Sequence, residues 1–349
     1  MSTQLPTTMS AIAIRTPEIS DPTKTLSSLS LTSLPVPRPS QTQALIRIHA
    51  ASITPWELTW PFPDGVPRPR IPAHDVAGTI VLLGMPSSRA GRFGMGDKVV
   101  ALLPFNGQGG MAEYAVCDLR YLAKIPRDFT GGFVEAASIP RAALTGSQAC
   151  HWLEEGQNVL IAGGSGAVGR MAVQLAKMRV HHRGKVVAIG GAGSEEELRE
   201  LGADFVFNYR DADLWDKLWD TFRYYIAGGE CNLLIDCVGG KTLARGTELL
   251  RNLSTGRIVT VAFPPPAWAE KGKGARSEFW EEVEHEGMRK KFFTVKEERL
   301  HSIMEMVVMG ELKYSVGFVV DGLTEEGVRA GYERGLKGGL SGSVVVKIL

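Results

Sequence analysis

The sequence predicts an α/β protein in which a doubly wound parallel sheet sits between the two parts of a discontinuous, β-rich domain. Three observations predict it. The first third carries short β-branched runs punctuated by Pro and Gly. From about residue 134 buried-type strands alternate with helical stretches. Near residue 296 the texture changes again and ends on a strand pattern that suits pairing back with the first part. At 349 residues the chain exceeds one ordinary core and suits two domains. The expected segments are 1–133, 134–295 and 296–349.

Element by element, residues 44–50, 76–83 and 98–103 read as strands of the first part. Pro35-Val36-Pro37-Arg38-Pro39 is an extended lead-in, and residues 61–72 form a proline-dense loop that cannot be helix. In the second part, residues 158–162, 185–189, 232–236 and 257–262 are apolar runs suited to parallel strands. Helical stretches cover 171–178, 195–201, 214–225 and 242–250. Residues 264–289 start polar and Pro/Gly-rich, which predicts a long loop or lid. In the tail, Leu300, Ile303, Met304, Val307 and Val308 recur at helical spacing. A strand over 316–320, a helix from Thr324 and a final strand over 344–348 follow.

Composition excludes several functions. Hydrophobic residues make up 44% and charged residues 22%, and 39 basic side chains nearly cancel 38 acidic ones. No basic block offers a nucleic acid or an acidic membrane a surface. Cys117, Cys150, Cys231 and Cys237 form no CxxC pair, which excludes a disulfide framework and the common zinc spacings and fits a reducing compartment. Residues 1–10 lack a targeting pattern, and no apolar run is long enough to span a bilayer. The expectation is a cytoplasmic protein with a small-molecule substrate, acting as a monomer or homodimer.

The strongest motif is Gly164-Ser165-Gly166-Ala167-Val168-Gly169, a GxGxxG between a strand (Val159-Leu160-Ile161) and a helix beginning near Arg170. In that setting the first glycine permits a tight turn and the second lets backbone N–H groups approach a pyrophosphate. The third allows close helix–strand packing, and the helix N-terminus faces the anion. A Gly-rich turn that binds nothing is the alternative, and the β-α-β series that follows weighs against it. The expectation is a Rossmann domain.

The segment from Asn158 to Lys177 (NVLIAGGSGAVGRMAVQLAK) resembles the cofactor turn of the medium-chain dehydrogenase/reductase superfamily, particularly its zinc-free quinone oxidoreductase and enoyl reductase branch. His49-AASITPWEL, Ile71-PAHDVAGTIV, Gly96-DKVVAL, Met111-AEYAV, Leu201-GADFVFNY and Leu234-IDCVGG follow in family order, so the likeness covers nearly the whole chain. It implies a GroES-like catalytic domain built from the first part and the chain end. In the zinc enzymes of the superfamily a Cys, a His and a second Cys hold the metal. The matching positions here are Thr54, His74 and Arg141, and an Arg cation in place of a thiolate repels zinc. The four-cysteine structural lobe is also missing. No metal is expected. Without a Lewis acid, reduction of an electron-poor C=C or a quinone is easier than alcohol oxidation.

The resemblance also places site residues. Thr54-Pro55-Trp56-Glu57 stands where quinone oxidoreductases carry Asn-Pro-x-Asp, so Thr54 and Glu57 are candidates for catalysis and Thr54 and Pro55 for cofactor contact. The tyrosine proton donor of some enoyl reductases has no counterpart between Leu58 and Pro72, which leaves solvent as the proton source. Trp56 and Trp60, with Phe62, offer walls for a flat substrate or simply pack within the loop. Arg141, Leu144 and Thr145 lie where enoyl reductases of fungal polyketide pathways contact substrate and nicotinamide. Arg141 either grips an anionic group or forms a buried salt bridge. Cys237, Val238, Val261, Ala262 and Phe263 end the fourth and fifth Rossmann strands and border the nicotinamide, with Cys237 as a packing residue rather than a nucleophile. Ser341 lies in the place of a family segment that often reads Arg-Gly-Lys.

For the cofactor, the second strand is followed by Gly190-Gly191-Ala192-Gly193-Ser194, without the carboxylate that would accept the ribose hydroxyls of NADH. That neutral rim favours NADPH, and the resemblance implies that Tyr209, at a position that contacts the 2′-phosphate in quinone reductases, donates to that phosphate together with Ser194; NADH is the less favoured cofactor. Two signs oppose this reading. The family's lysine after the second strand has no counterpart, and Glu195, Glu196 and Glu197 stand nearby. The implied function is an NADPH-dependent, zinc-independent reductase of an enone, enoyl thioester or quinone. The alternatives are an oxidoreductase acting on one elaborate metabolite of a specialised pathway and a catalytically silent nucleotide-binding protein of the same fold.

Overall fold

A computed structural model describes residues 5–15, 21–59, 69–84, 92–104, 108–226, 229, 231–250, 256–262, 283–285, 288–291 and 299–349. Trp60, Phe62 and Phe263 lie outside the described residues. The chain divides into two compact units, Met1–Arg141 with Glu297–Leu349, and Ala142–Lys296.

The first unit is built on a sheet whose strands run in the order Val316–Asp321, Ser343–Lys347, Gln43–Ile53, Asp75–Leu83, Lys98–Leu102 and Leu122–Lys124, with Tyr114–Asp118 also paired to Gln43–Ile53. The last strand, Ser343–Lys347, lies antiparallel to Gln43–Ile53 with Val344 opposite Ile53 and Lys347 opposite Ala50. The chain end thus completes the β-rich domain. β-Branched residues fill this core, Ile46, Ile48, Val76, Val99 and Val346 all being buried. Helix Glu325–Leu336 starts where the Thr324 hydroxyl accepts from the Gly327 N–H at 3.1 Å. Its Val328 and Tyr332, four residues apart on one face, enter the same core.

The second unit is a doubly wound sheet. Five parallel strands follow the order Phe205–Asn208, Val186–Gly190, Val159–Ala162, Leu233–Asp236, Arg257–Thr260, and Met288–Lys291 continues it in parallel. Alternation along the strands sorts the core into two layers. Val159, Ile161, Val186 and Ala188 pack with Ala172, Val173, Ala176 and Leu198 on one face. Leu160, Ala162, Val187 and Ile189 pack with Leu214, Leu218, Leu243 and Leu250 on the other.

The strands Phe205–Asn208, Tyr114–Asp118 and Leu122–Lys124 are not among those expected, and other local features also depart from the sequence reading. The helix expected over 214–225 stops at Asp220 and continues as a π-helical turn, Thr221–Tyr225, closed by the Ile226 N–H donating to the Thr221 carbonyl at 3.1 Å. Within the expected loop 264–289, Val283–His285 is a strand antiparallel to Met288–Lys291, and the pair extends the sheet. The chain also opens with a hairpin, Thr8–Ile14 against Leu29–Pro35.

Candidate active site

In the second unit the strand register brings the carboxyl ends of the central strands level: Ala162 pairs with both Ile189 and Asp236, and Asp236 with Thr260. The motif glycines therefore stand where the chain order reverses between the first and fourth strands, the switch point at which such sheets bind ligands. Each glycine meets a different demand. Gly163, just ahead of the motif, takes the left-handed conformation with φ +82°, and a side chain there would also lie 2.9 Å from Val238 Cγ2. The tight turn assigned to Gly164 is therefore made by Gly163. A Cβ on Gly164 would sit 3.2 Å from that of Ala188. On Gly169 it would meet the Gly163 carbonyl oxygen at 2.1 Å, so only a glycine lets the helix approach the turn this closely. On Gly166 it would meet nothing nearer than 3.5 Å. Protein packing does not require Gly166 to be bare.

Gly166 is the N-cap of helix Ala167–Val180. The N–H groups of Ala167, Val168 and Gly169, in the first turn, have no intrahelical acceptor and lend the site partial positive charge. Ser165 completes the turn, its Oγ accepting from the Gly191 N–H at 3.4 Å.

The neighbouring strand ends are organised by Asp236, a residue the sequence reading passed over. It is fully buried and accepts from the Val238 N–H at 3.1 Å, the Gly239 N–H at 3.0 Å and the Thr260 hydroxyl at 2.7 Å. Val238 is 54% exposed, whereas burial pushes the Cys237 thiol well up, away from the thiolate a nucleophile needs. The Ala262 N–H donates to Thr260 Oγ1 at 3.3 Å, which places Val261 and Ala262 just past the fifth strand. Leu144 and Thr145 are both buried on helix Pro140–Ala149.

At the second strand the rim is neutral and tightly closed. Ser194 is buried and its hydroxyl donates to the Gly191 carbonyl at 2.8 Å, so that proton is committed inside the turn. Tyr209 is half exposed beside Gly191. Of the three carboxylates that opposed NADPH, Glu195 bonds Arg199 at 3.0 Å and Glu197 pairs with the buried Arg170.

In the first unit, the turn Pro55–Thr59 follows strand Gln43–Ile53 and carries Glu57 into the interior. Glu57 is fully buried and its carboxylate accepts three bonds, from the Tyr332 hydroxyl at 2.7 Å, the Ala73 N–H at 2.9 Å and the Thr54 N–H at 3.3 Å. Its backbone carbonyl accepts from Arg70 Nη2 at 2.6 Å. Burial raises the Glu57 carboxyl despite the Tyr332 bond and the Arg141 and Arg70 charges. Ala73 has φ +64°, uncommon for a residue with a side chain. Its carbonyl accepts from the Gly110 N–H at 2.5 Å, and the Met111 N–H bonds Pro72 at 3.0 Å, which holds the turn.

His74 follows, its Nε2 3.9 Å from Glu57 Oε2, and burial pushes its pKa well down, so the imidazole is neutral. Asp75 is then gripped by Arg141, whose N–H donates at 2.6 Å and whose Nε donates at 2.9 Å. Of the two alternatives for Arg141, the salt bridge is present, and 16% of its side chain remains exposed. The Thr54 hydroxyl makes no hydrogen bond among the described residues, and Trp56 is 47% exposed. Helix Glu325–Leu336 packs onto Pro55 at Gly335, where a Cβ would come within 2.4 Å of the proline ring. Ser341 lies between Gly339 and Gly342, both at positive φ.

Among the described residues no group of three His, Cys, Asp or Glu side chains is placed to hold a metal, and no helix is long and apolar enough to cross a membrane.

Comparison with known proteins adds the family. The pattern described as "Alcohol dehydrogenase GroES-like domain" matches residues 40–127, and that described as "Zinc-binding dehydrogenase" matches residues 167–273. A chloroplast envelope quinone oxidoreductase homolog of Arabidopsis thaliana is 38% identical over 192 residues, 51% of this chain and 55% of that protein. A chloroplastic NADPH-dependent alkenal/one oxidoreductase of the same plant is 30% identical over 224 residues, 60% of this chain and 56% of that protein. The chain thus spans little more than half the length of these relatives. The solved quinone oxidoreductase from Coxiella burnetii is similar over 98% of this chain and 100% of its own, with a TM-score of 0.75 and 26% identity. With a GroES-like pattern on the β-rich unit, a dehydrogenase pattern over the Rossmann sheet and a fold shared end to end, the chain belongs to the medium-chain dehydrogenase/reductase superfamily.

Proposed function

We propose that this protein is an NADPH-dependent, zinc-independent reductase that delivers hydride to an activated C=C, in an enone or enoyl thioester, or to a quinone. The observation that carries the reading is the contrast between Gly169 and Gly166. One is bare because a Cβ would strike backbone at 2.1 Å, and the other is bare where the protein's own nearest atom would lie 3.5 Å away. A glycine that packing does not demand, at the N-cap of a helix on the switch point, fits a pyrophosphate. The relatives named as quinone and alkenal/one oxidoreductases support the same chemistry.

Zinc, implied by one family description, does not fit the donors present. The three positions hold a hydroxyl, a buried neutral imidazole and a guanidinium already paired with Asp75. A fixed cation repels a divalent metal, and one imidazole with one hydroxyl is too small a ligand set. The work of polarising the substrate falls to other donors.

NADPH would be held in the second unit by the Gly164–Gly169 backbone and by Cys237, Val238, Val261 and Ala262 at the ends of the fourth and fifth strands. When bound, it supplies the hydride that adds to the electron-poor carbon or quinone. Within the first unit, the Arg141 guanidinium, fixed by Asp75, and the Thr54 hydroxyl are the donors available to a substrate oxygen that gains negative charge. One such preorganised donor contributes about 10²–10³ in kcat. Water supplies the proton. Glu57, His74 and Tyr332 hold the loop that carries Thr54. The four cysteines are free thiols, which suits a reducing compartment such as the cytosol.

The test is NADPH oxidation with a simple quinone, an α,β-unsaturated ketone and an enoyl thioester. Turnover of at least one acceptor is expected. A protein that binds NADPH but turns over none of the three contradicts the reading.

A further inference from the structure

The sheet of the first unit turns one face to its core, and its other face carries a row of cations. Strand register sets them side by side: Arg47 lies opposite Thr79, and Thr79 opposite Lys98, so two long basic side chains flank one hydroxyl. With strands spaced about 4.8 Å apart, the two backbones stand roughly 10 Å from one another, within reach of both arms. His49, on the same strand as Arg47, adds an imidazole whose Nε2 is 3.3 Å from the Thr79 hydroxyl. Phe133, on helix Phe133–Ala137, stacks on that imidazole with ring centroids 4.1 Å apart and an angle of 9°. Lys98 Nζ stands 5.5 Å from the centroid of the same ring. Arg47 and Lys98 are exposed, and His49 and Thr79 are half-buried.

No acid in the row balances this charge, since Tyr114 is the neighbour of Arg47 on its other side. Carboxylates on the adjoining segments are held by other groups. Asp97 pairs with Lys124 at 2.8 Å, and Glu113 accepts from the Ser10 N–H at 2.7 Å. Glu135, on the helix that carries Phe133, accepts from the Gly132 N–H at 2.8 Å. Among the described residues neither Arg47 nor Lys98 has a carboxylate partner. Burial, then the Arg47 and Lys98 charges, hold the His49 pKa below its ordinary 6.5. Three basic groups converging without an anion repel one another, and an oxyanion above Thr79 would relieve that repulsion and find donors in the side chains around it. The cations come from two strands far apart in sequence, so no basic run announces them.

We propose that Arg47, Thr79 and Lys98, with His49 beside them, form a binding site for a dianionic phosphoryl group on the first unit, built from residues that take no part in hydride transfer. Arg47 offers a planar fork to two of the oxygens, Lys98 a point charge from the other side, and Thr79 a hydroxyl between them. A carboxylate, singly charged and with two oxygens, uses less of this arrangement than a phosphate does. Bound dianion favours the protonated form of His49, so binding tightens as the pH falls. Because the site is exposed, its affinity falls as salt rises.

The experiment follows the His49 imidazole by NMR while sulfate, inorganic phosphate or glycerol 3-phosphate is titrated in, with ionic strength held constant by chloride. Sulfate stays a dianion throughout, which separates titration of His49 from titration of the ligand. Saturable binding with a rise in the His49 pKa is expected for the wild type. Arg47→Gln and Lys98→Gln should each weaken it at least ~tenfold, whereas Lys24→Gln, which removes the same charge from an exposed position elsewhere on the unit, should change it less than ~twofold. Without any anion, Arg47→Gln and Lys98→Gln should each raise the His49 pKa, because they remove charges that depress it. Tighter binding of glycerol 3-phosphate than of phosphate assigns the site to a phosphate monoester, and equal or weaker binding assigns it to the free ion. A response that never saturates, no loss in either Arg47→Gln or Lys98→Gln, or an equal loss in Lys24→Gln overturns the proposal.

Discussion

The Tyr332 hydroxyl donates to the Glu57 carboxylate at 2.7 Å across 275 positions of sequence, joining the C-terminal helix to the turn that carries Thr54. Both side chains are fully buried, so the bond is made where water cannot replace it.

Tyr332→Phe leaves Glu57 with one donor fewer in the interior and is expected to cost about 1–3 kcal/mol of stability. The sign with pH follows from burial, which raises the folded Glu57 pKa above its ordinary 4.5. A carboxyl raised in this way keeps its proton longer folded than unfolded. Its contribution is most favourable below the unfolded value and declines as pH rises toward the folded one. Removing the phenol, which lowers that pKa, steepens the decline. Urea unfolding should therefore show a larger loss for Tyr332→Phe at neutral than at mildly acidic pH. Asp75, also raised by burial, has the same sign, but it is common to both proteins and cancels in the difference. In a Glu57→Gln background the pH dependence of the Tyr332→Phe loss should vanish.

Arg141 and Asp75 form the second buried pair, joined by side-chain and backbone donors. Arg141→Met strands the Asp75 carboxylate and is expected to cost about 3–5 kcal/mol. Asp75→Asn in the same chain should recover a large part of it, because the buried charge is gone. If the two losses simply add in thermal unfolding, the pair is not coupled.

The Rossmann half was legible because its signals are local. The GxGxxG follows an apolar strand and precedes a helix within twenty residues, and period-two alternation sorts Val159 and Leu160 onto opposite layers. Even there Gly163 was missed, since Gly163-Gly164 offers two places for the turn and only the observed φ chooses. Glu57 was legible as a candidate but not its environment. Arg70, the strained Ala73 and Tyr332 converge on it from distant segments, and none carries a motif. The π-helical turn at Thr221–Tyr225 was missed because helical periodicity in residues 214–225 does not distinguish i+4 from i+5 closure.

Zinc independence has a direct check. The purified protein is expected to hold no stoichiometric zinc by elemental analysis, and prolonged chelation should leave quinone or enone reduction unchanged. One tightly bound zinc per chain would overturn the donor argument built on Thr54, His74 and Arg141.

The two glycines of the cofactor turn should fail in opposite ways. At Gly169 a methyl group meets the Gly163 carbonyl oxygen at 2.1 Å, and the contact is backbone on backbone, with no flexible side chain to yield. Gly169→Ala is therefore expected to destabilise the fold by about 1–3 kcal/mol or more, read in urea unfolding without any ligand. At Gly166 the nearest atom lies 3.5 Å away and φ is −73°, a value any residue adopts. Gly166→Ala should leave the apo-protein's unfolding midpoint nearly unchanged. The methyl group would then intrude where the pyrophosphate approaches the helix N-terminus, raising the NADPH dissociation constant about tenfold, or ~1.4 kcal/mol. Gly166→Leu should enlarge that loss. A stable Gly166→Leu protein that binds NADPH as tightly as the wild type would place the pyrophosphate elsewhere, because no folded-state contact would then explain why that position is bare.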